Sequence, residues 1–378
     1  MTTSSTLVPV QTRDERPTSF VPADFAEISG REYEWHLTPV ARISSLLGSE
    51  LNGESVESDV VATGPVSTSW ISMNDSRVGR VGIPDDRASA QAWSSVENAL
   101  LVTVGAEDVA QIILTRSGLG ATARAAHTVV EVAPFAKATI VLINEGDAAL
   151  IENVEILAGD SSHVTVVTLQ QWASDTQHLA THYIRTERTA SVKHVVVSLA
   201  GDVVRVNSQA QLIGAGSSVE LLGLYFADAG QHLEQQVFVN HVAEQTKSRV
   251  TYKGALQGEG ARTVWIGDVL IGPHATATDS YEQNRNLVLT DGTRADSIPN
   301  LEIKTGDIAG AGHASATGRF DDEQLFYLQA RGISEEEARQ LVVRGFLNEV
   351  VQQIGIPDIE ERIQLALDAE LAAVSVGG

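Results

Sequence analysis

Histidine and carboxylate are the chemistry-bearing side chains of this sequence, which has 10 histidines, 49 Asp and Glu residues and no cysteine. Without thiols the chain forms no disulfide, no Cys-ligated zinc site, no cysteine nucleophile and no iron–sulfur cluster held by its own thiolates. Imidazole is then its main transition-metal ligand. His178, His182 and His194 fall in or near alternating segments, as do His232 and His241. His178 and His182 are spaced for a metal pair on a helix, but their flanks lack helical periodicity. All five therefore read as half-buried hydrogen-bonding residues. His313 differs, because it stands in Gly310-Ala-Gly312-His313, where small neighbours let backbone or a partner approach closely. No carboxylate pair stands out as an acid/base couple, and neither Gly-x-Ser-x-Gly nor His-Glu-x-x-His occurs. Gly254-Ala-Leu-Gln-Gly258-Glu-Gly260 lies between strand-like segments and reads as a turn, not a phosphate loop.

The elements that must position these groups follow from composition and periodicity. The chain has 378 residues and a formal net charge of −23, spread evenly, which disfavours nucleic acid and anionic lipid as main partners. Its first residues lack the basic and apolar regions of a signal peptide, and no apolar stretch is long enough to span a bilayer, so a cytoplasmic address is expected. Residues 1–20 read as a mobile arm and 21–98 as a mixed region, in which Pro84-Asp85-Asp86 caps a helix. From residue 99 to 318 short β-rich segments recur, from Leu100–Val104, Gln111–Thr115 and Thr128–Val132 through Thr263–Ile271. Their spacing predicts many short strands in a solenoid, sandwich or barrel, and no strict sequence repeat decides among these. Residues 319–378 turn helical. Three short amphipathic helices are expected there as a separable module, the second opened by a capping box at Ser334 and Glu337 and the third by Pro357.

A resemblance then narrows the reading. Tyr281-Glu-Gln-Asn-Arg-Asn-Leu-Val-Leu289, Ala295-Asp-Ser-Ile-Pro-Asn-Leu-Glu-Ile303, Gly312-His313-Ala-Ser-Ala-Thr-Gly318 and Asp321-Asp-Glu-Gln-Leu-Phe-Tyr-Leu-Gln-Ala-Arg-Gly332 resemble the signature of the SufB/SufD family. These are scaffold proteins of the Suf iron–sulfur cluster assembly system. Glu34-Trp35-His36-Leu37-Thr38-Pro39 resembles an N-terminal element nearer to the SufD branch. The resemblance implies a mainly β fold: a right-handed parallel β-helix core, a small N-terminal α/loop region and a C-terminal helical domain. It also implies that the helical domain docks an ABC-type ATPase, SufC, with Leu325, Phe326, Leu328, Leu341 and Phe346 supplying apolar surface. A SufB-like scaffold is expected as the other partner, and a homodimer for the isolated chain.

Where many members of the family read Cys-Ser-His, this chain reads Ala311-Gly312-His313, so the histidine is kept and the cysteine is lost. The resemblance therefore implies His313 as a ligand for iron or nascent cluster at the SufB interface. It implies no catalytic residue, no cofactor held stably by this chain alone, and a non-enzymatic subunit, the ATPase activity belonging to SufC. The alternatives are a β-helix enzyme acting on acidic polysaccharide and a homodimeric β-helix adaptor without metal chemistry.

Overall fold

The computed structural model describes residue 13 and residues 16–48, 50–320 and 322–373. The N-terminal part carries α1 (Ser44–Gly48), the strands β1 (Asp59–Thr63) and β2 (Val66–Ser72), and α2 (Arg87–Ser95). α2 starts at the predicted cap, where the Asp86 carboxylate accepts a hydrogen bond from the Ser89 N–H. Strands of similar length then follow: β3 (Asn98–Val104), β4 (Val109–Ser117), β5 (Gly120–Val132), β6 (Lys137–Gly146), β7 (Ala148–Ala158) and β8 (His163–Trp172). They continue as β9 (Gln177–Thr186), β10 (Ser191–Ala200), β11 (Val203–Leu212), β12 (Ser218–Ala227) and β13 (His232–His241). The last are β14 (Lys247–Leu256), β15 (Arg262–Ile271), β16 (Thr278–Val288), β17 (Arg294–Ile303) and β18 (Ile308–Arg319). Helices α3 (Asp322–Gln329), α4 (Glu335–Val351) and α5 (Pro357–Ala373) complete the chain.

From β3 onward the chain alternates between two sheets. Even-numbered strands β4 to β18 form one parallel sheet and odd-numbered strands β3 to β17 the other, with β1 and β2 added antiparallel at the first turn. The result is a parallel β-solenoid of about eight turns, in a protein that is 50% strand and 17% helix. This selects the solenoid from the three predicted architectures. In the middle turns both faces of each sheet are covered, so strands such as β7, β11 and β15 are buried almost throughout.

The inner faces meet in one long core that runs from Val102 and Ile112 through Val166, Val196 and Leu221 to Val250 and Ile271. Gly254-Ala-Leu-Gln-Gly258-Glu-Gly260 divides between strand and turn: Gly254 lies inside β14, while Gly258 and Gly260 have positive φ in the turn beyond it. Gly254 has a packing role. A Cβ there would meet the Tyr225 ring at 1.8 Å, just as one at Gly223 would meet the Tyr252 ring at 1.9 Å. Each glycine thus makes room for a tyrosine on the paired strand.

Each turn closes at a repeated corner. Glu107, Phe135, Ser161, Thr189, Gly216, Gln245 and Ala277 all have positive φ. Each sends its N–H to a carbonyl of the next turn, from Glu107 to Pro134 through Ala277 to Asp307. The backbone of this corner repeats although only one of the seven is glycine, and the inter-turn hydrogen bonds offset the strain of the left-handed conformation.

The outer faces are covered from opposite ends of the sequence. Trp35, Ile43, Leu46, Ala88 and Ala92 pack on Ala149, Ile151, Leu179 and Val203 of the odd-numbered sheet. On the even-numbered sheet, Val343, Leu347 and Val350 of α4 and Ile359, Ile363 and Leu367 of α5 share a core with Val167, Val195, Leu222 and Phe226. Helices α4 and α5 thus form a layer that shares a core with the even-numbered sheet. Of the predicted N-terminal arm, residues 1–12 and 14–15 lie outside the described residues. The Arg13 side chain is 5% exposed and ion-paired with both Asp85 and Asp268.

Gly254→Ala is expected to lower unfolding stability by about 1–3 kcal/mol through overpacking. Gly306→Ala, which meets nothing within 4 Å, should stay within about 0.5 kcal/mol of wild type. Urea denaturation of both variants checks this, and equal stabilities would contradict the packing assigned to Gly254.

Candidate functional site

One inward-facing column of the even-numbered sheet leads to the site. In register it reads Ile112, Ile140, Val166, His194, Leu221, Val250, Glu282 and His313. The column is apolar for most of its length and turns polar at its end. β16 alternates burial along Thr278, Ser280, Glu282, Asn284 and Asn286, which sends these polar side chains inward. β18 is the last strand of its sheet, so no further rung covers His313, which is 43% exposed, whereas Glu282 one rung earlier is 1% exposed. His313 Nδ1 lies 3.7 Å from Glu282 Oε1. Burial, with the Asp268 charge adding to it, pushes the Glu282 carboxyl up to about 8, and the Asn300 amide offsets this only in part. His313 also lines a cavity of about 510 Å³ with Arg13, Arg16, Tyr33, Asp268 and Asn300.

The other histidines are structural in their contacts. His178 Nε2 lies 2.9 Å from Glu152 Oε1, and its Nδ1 accepts from Trp172 Nε1 at 3.2 Å. Arg116 pairs with the other Glu152 oxygen and donates to Thr128. Burial pushes the Glu152 carboxyl up, but the Arg116 charge and the His178 hydrogen bond outweigh it and hold it well below the usual carboxylate range. His182 and His194 contact each other, Nδ1 to Nε2, at 2.8 Å. Burial holds His182 down to about 4 and lowers His194 as well. His232 pairs with Glu234, and His241 sits between the Thr246 and Ser248 hydroxyls, held down to about 4 by burial. These five are fully buried, not half-buried. Among the described residues no group of three or more His, Cys, Asp or Glu could hold a metal ion.

The Glu34 to Pro39 element is an anchor. Trp35 is buried under the Arg205 guanidinium, 3.6 Å from the ring centroid, while Thr38 donates to Glu234 and the Glu34 carbonyl accepts from Arg205.

The apolar helix residues divide between two surfaces. Phe326 is 73% exposed on α3 and Leu341 is 49% exposed on α4, while Leu325 and Leu328 are half-buried. Leu341 also lines a groove of about 300 Å³ with Ile333, Glu337, Gln340 and Arg344. Phe346 faces the other way, packed against the solenoid core under the Lys253 ammonium, which lies 4.6 Å from its ring centroid. The capping box that starts α4 is present as predicted, formed by Ser334 and Glu337. Sequence reasoning missed Glu282. The alternation of polar and other residues over 278–288 carries the signal, and its match to the 308–319 strand puts Glu282 beside His313.

The buried histidines fix the direction of acid sensitivity. A group whose folded pKa is depressed contributes stability that is present above its unfolded value and lost as pH falls through the folded value. For His182 and His241 that window runs from about 6.5 down to about 4. Between pH 7.5 and pH 5 each is expected to lose on the order of 1–2 kcal/mol of its stabilising contribution. His241→Gln should retain that much more of its own pH 7.5 stability, measured by urea unfolding at both pH values. A wild-type and variant difference that does not change with pH would contradict the assignment.

The family model described as SUF system FeS cluster assembly, SufBD core domain, matches residues 113–346. An iron-sulfur cluster assembly SufBD family protein of Mycobacterium tuberculosis is 47% identical over 353 residues, covering 90% of this chain and 89% of its own length. One of Mycobacterium leprae is 46% identical over 353 residues, 90% of each chain. A second protein of that family name from Mycobacterium leprae is 28% identical over 201 residues, 53% of this chain and 23% of its own length. No helix among the described residues is long and apolar enough to cross a membrane. On the matched core and the similarity along most of its length, this chain belongs to the SufBD family of iron–sulfur cluster assembly proteins.

Proposed function

We propose that this chain is the SufD-like subunit of a cytoplasmic SufB–SufC–SufD complex, a non-catalytic scaffold for iron–sulfur cluster assembly. The observation that carries the reading is His313, presented on the uncovered last rung of the solenoid by a chain without cysteine. Such a chain offers imidazole and carboxylate to iron, and the thiolates a cluster needs come from its partner. Iron or nascent cluster is cargo at that contact and is not a resident cofactor. The SufB-like partner meets the end of the solenoid, where β17 and β18 leave one edge each without a paired strand. Two SufBD-family proteins of unequal similarity in Mycobacterium leprae support a pair of distinct subunits.

SufC, an ABC-type ATPase, docks on the outward face of α3 and α4, where Phe326, Leu341 and the adjoining groove expose apolar surface. Leu325 and Leu328 border that face, and Phe346 holds α4 to the solenoid behind it. SufC dimerisation on ATP would move these helices. The shared core of α4, α5 and the even-numbered sheet would carry the displacement into the scaffold wall.

Two outcomes are expected when the intact chain is co-expressed with SufB and SufC. Phe326→Asp combined with Leu341→Asp should abolish SufC capture while SufB is retained and the melting temperature stays within about 2 °C. SufC retained at wild-type level would overturn the docking surface. His313→Ala should leave folding and SufC capture intact and lower the iron and sulfide content of the complex. Wild-type iron and sulfide in that variant would remove His313 from the cluster site.

A further inference from the structure

The last rungs hold a polar group without a partner. Glu282 is 1% exposed, and neither of its carboxylate oxygens makes a hydrogen bond. The Asn300 backbone amide offsets only part of the effect of that burial. A carboxyl buried in this way destabilises the fold through its unmet hydrogen bonds. Elsewhere inside the solenoid such groups are matched: Glu152 is met by Arg116 and His178. Asp268, the charge nearest to Glu282 in its electrostatic effect, is likewise engaged by Arg13 and Asn300. Among the described residues of the solenoid Glu282 is the exception, and it stands next to His313.

The separation of the two is informative. Oε1 and Nδ1 lie 3.7 Å apart, beyond the roughly 2.7–3.2 Å of a hydrogen bond. A first-row transition ion binds imidazole nitrogen at about 2.0–2.1 Å and carboxylate oxygen at about 2.0–2.2 Å. Two such donors on one ion stand roughly 3.0–4.0 Å apart for ligand–metal–ligand angles between about 90° and 140°. The pair is held on neighbouring strands in fixed register, Glu282 opposite His313. The cavity that His313 lines opens beside it.

We propose that Glu282 and His313 together form a two-donor half-site for a divalent first-row transition ion. It rests on the reading of His313 as a ligand and adds the carboxylate that completes this chain's share. No third His, Cys, Asp or Glu joins them among the described residues. The remaining coordination positions are open to water or to donors of an opposing subunit, as in sites that exchange or process their metal. Imidazole with one carboxylate favours iron, cobalt or zinc over magnesium or calcium, which prefer all-oxygen shells.

The test is an anaerobic titration of the intact isolated chain with Co(II), read by visible absorption and calorimetry. Wild type is expected to bind one ion, and Glu282→Gln and His313→Ala each to weaken binding at least about tenfold. Glu282→Asp, which keeps the charge but withdraws it by one methylene, should weaken binding less than Glu282→Gln. Thermal melting of Glu282→Gln is expected at or above wild type, because an amide replaces an unmatched acid. Should that variant fail to fold, Glu282→Asp decides on the same terms. Weakening by His313→Ala with wild-type affinity in both Glu282 variants overturns the half-site and leaves the His313 reading standing. Wild-type affinity in all three variants overturns both. Weakening by the Glu282 variants alone overturns the two-donor arrangement.

Discussion

In-register stacking of turn upon turn is the constraint on which this molecule depends. In a parallel solenoid every residue lies against its counterpart in the turns before and after, so an inward polar side chain must be matched within one rung or along the opposite sheet. Where the stack is deep, the buried carboxylates are matched: Glu152 by Arg116 and His178, and Glu234 by Arg205 and His232. Where the stack stops, at β18, there is no next rung to supply a partner. His313 is exposed for that reason, and Glu282 is left unmatched beside it. The end of the solenoid is thus the place where its building rule runs out.

Much of this was legible in the residues. The helix caps at Asp86 and Ser334 were readable because a cap is a local device of residue type and spacing. The segments rich in Val, Ile and Leu between residues 100 and 271 were readable as strands, because burial on both faces leaves a continuous apolar run. β9, β16, β17 and β18 were not, since Gln177-His178, the Asn and Ser residues of β16, and Gly310-Ala-Gly312 carry little β-propensity. Their strand state comes from pairing with a neighbouring turn. The turn repeat was hidden for a related reason: the corner at Glu107, Phe135, Ser161, Thr189, Gly216, Gln245 and Ala277 repeats in backbone conformation and not in side chain.

His313 stood out from its small neighbours, while Glu282 did not, because nothing local marks one carboxylate among 49 acidic residues. Only the register of two strands about thirty residues apart brings it forward, as the 32-residue spacing of the Ser248–Ser280 contact illustrates one turn earlier. The apolar helix residues taught the converse lesson. Leu341 and Phe346 lie close in sequence on one helix, yet one faces outward and the other clamps the helix to the sheet. Helical periodicity alone identifies two apolar faces without saying which of them the solenoid will claim.

The anchor at Arg13 has a consequence for how the chain is made. Its ion pair with Asp268 joins residues 255 positions apart, and both are buried. A ribosome adding about 5–20 residues per second needs roughly 13–50 s to travel that distance. Until Asp268 is made, Arg13 has at most Asp85 as an ion-pair partner, and the wall of β13 and β15 that receives it is incomplete. Arg13 therefore settles fully only once most of the solenoid has been made, and it does so next to His313, across the cavity the two residues share. For this chain, closure of the wall beside the terminal rung waits on synthesis of the solenoid's later turns.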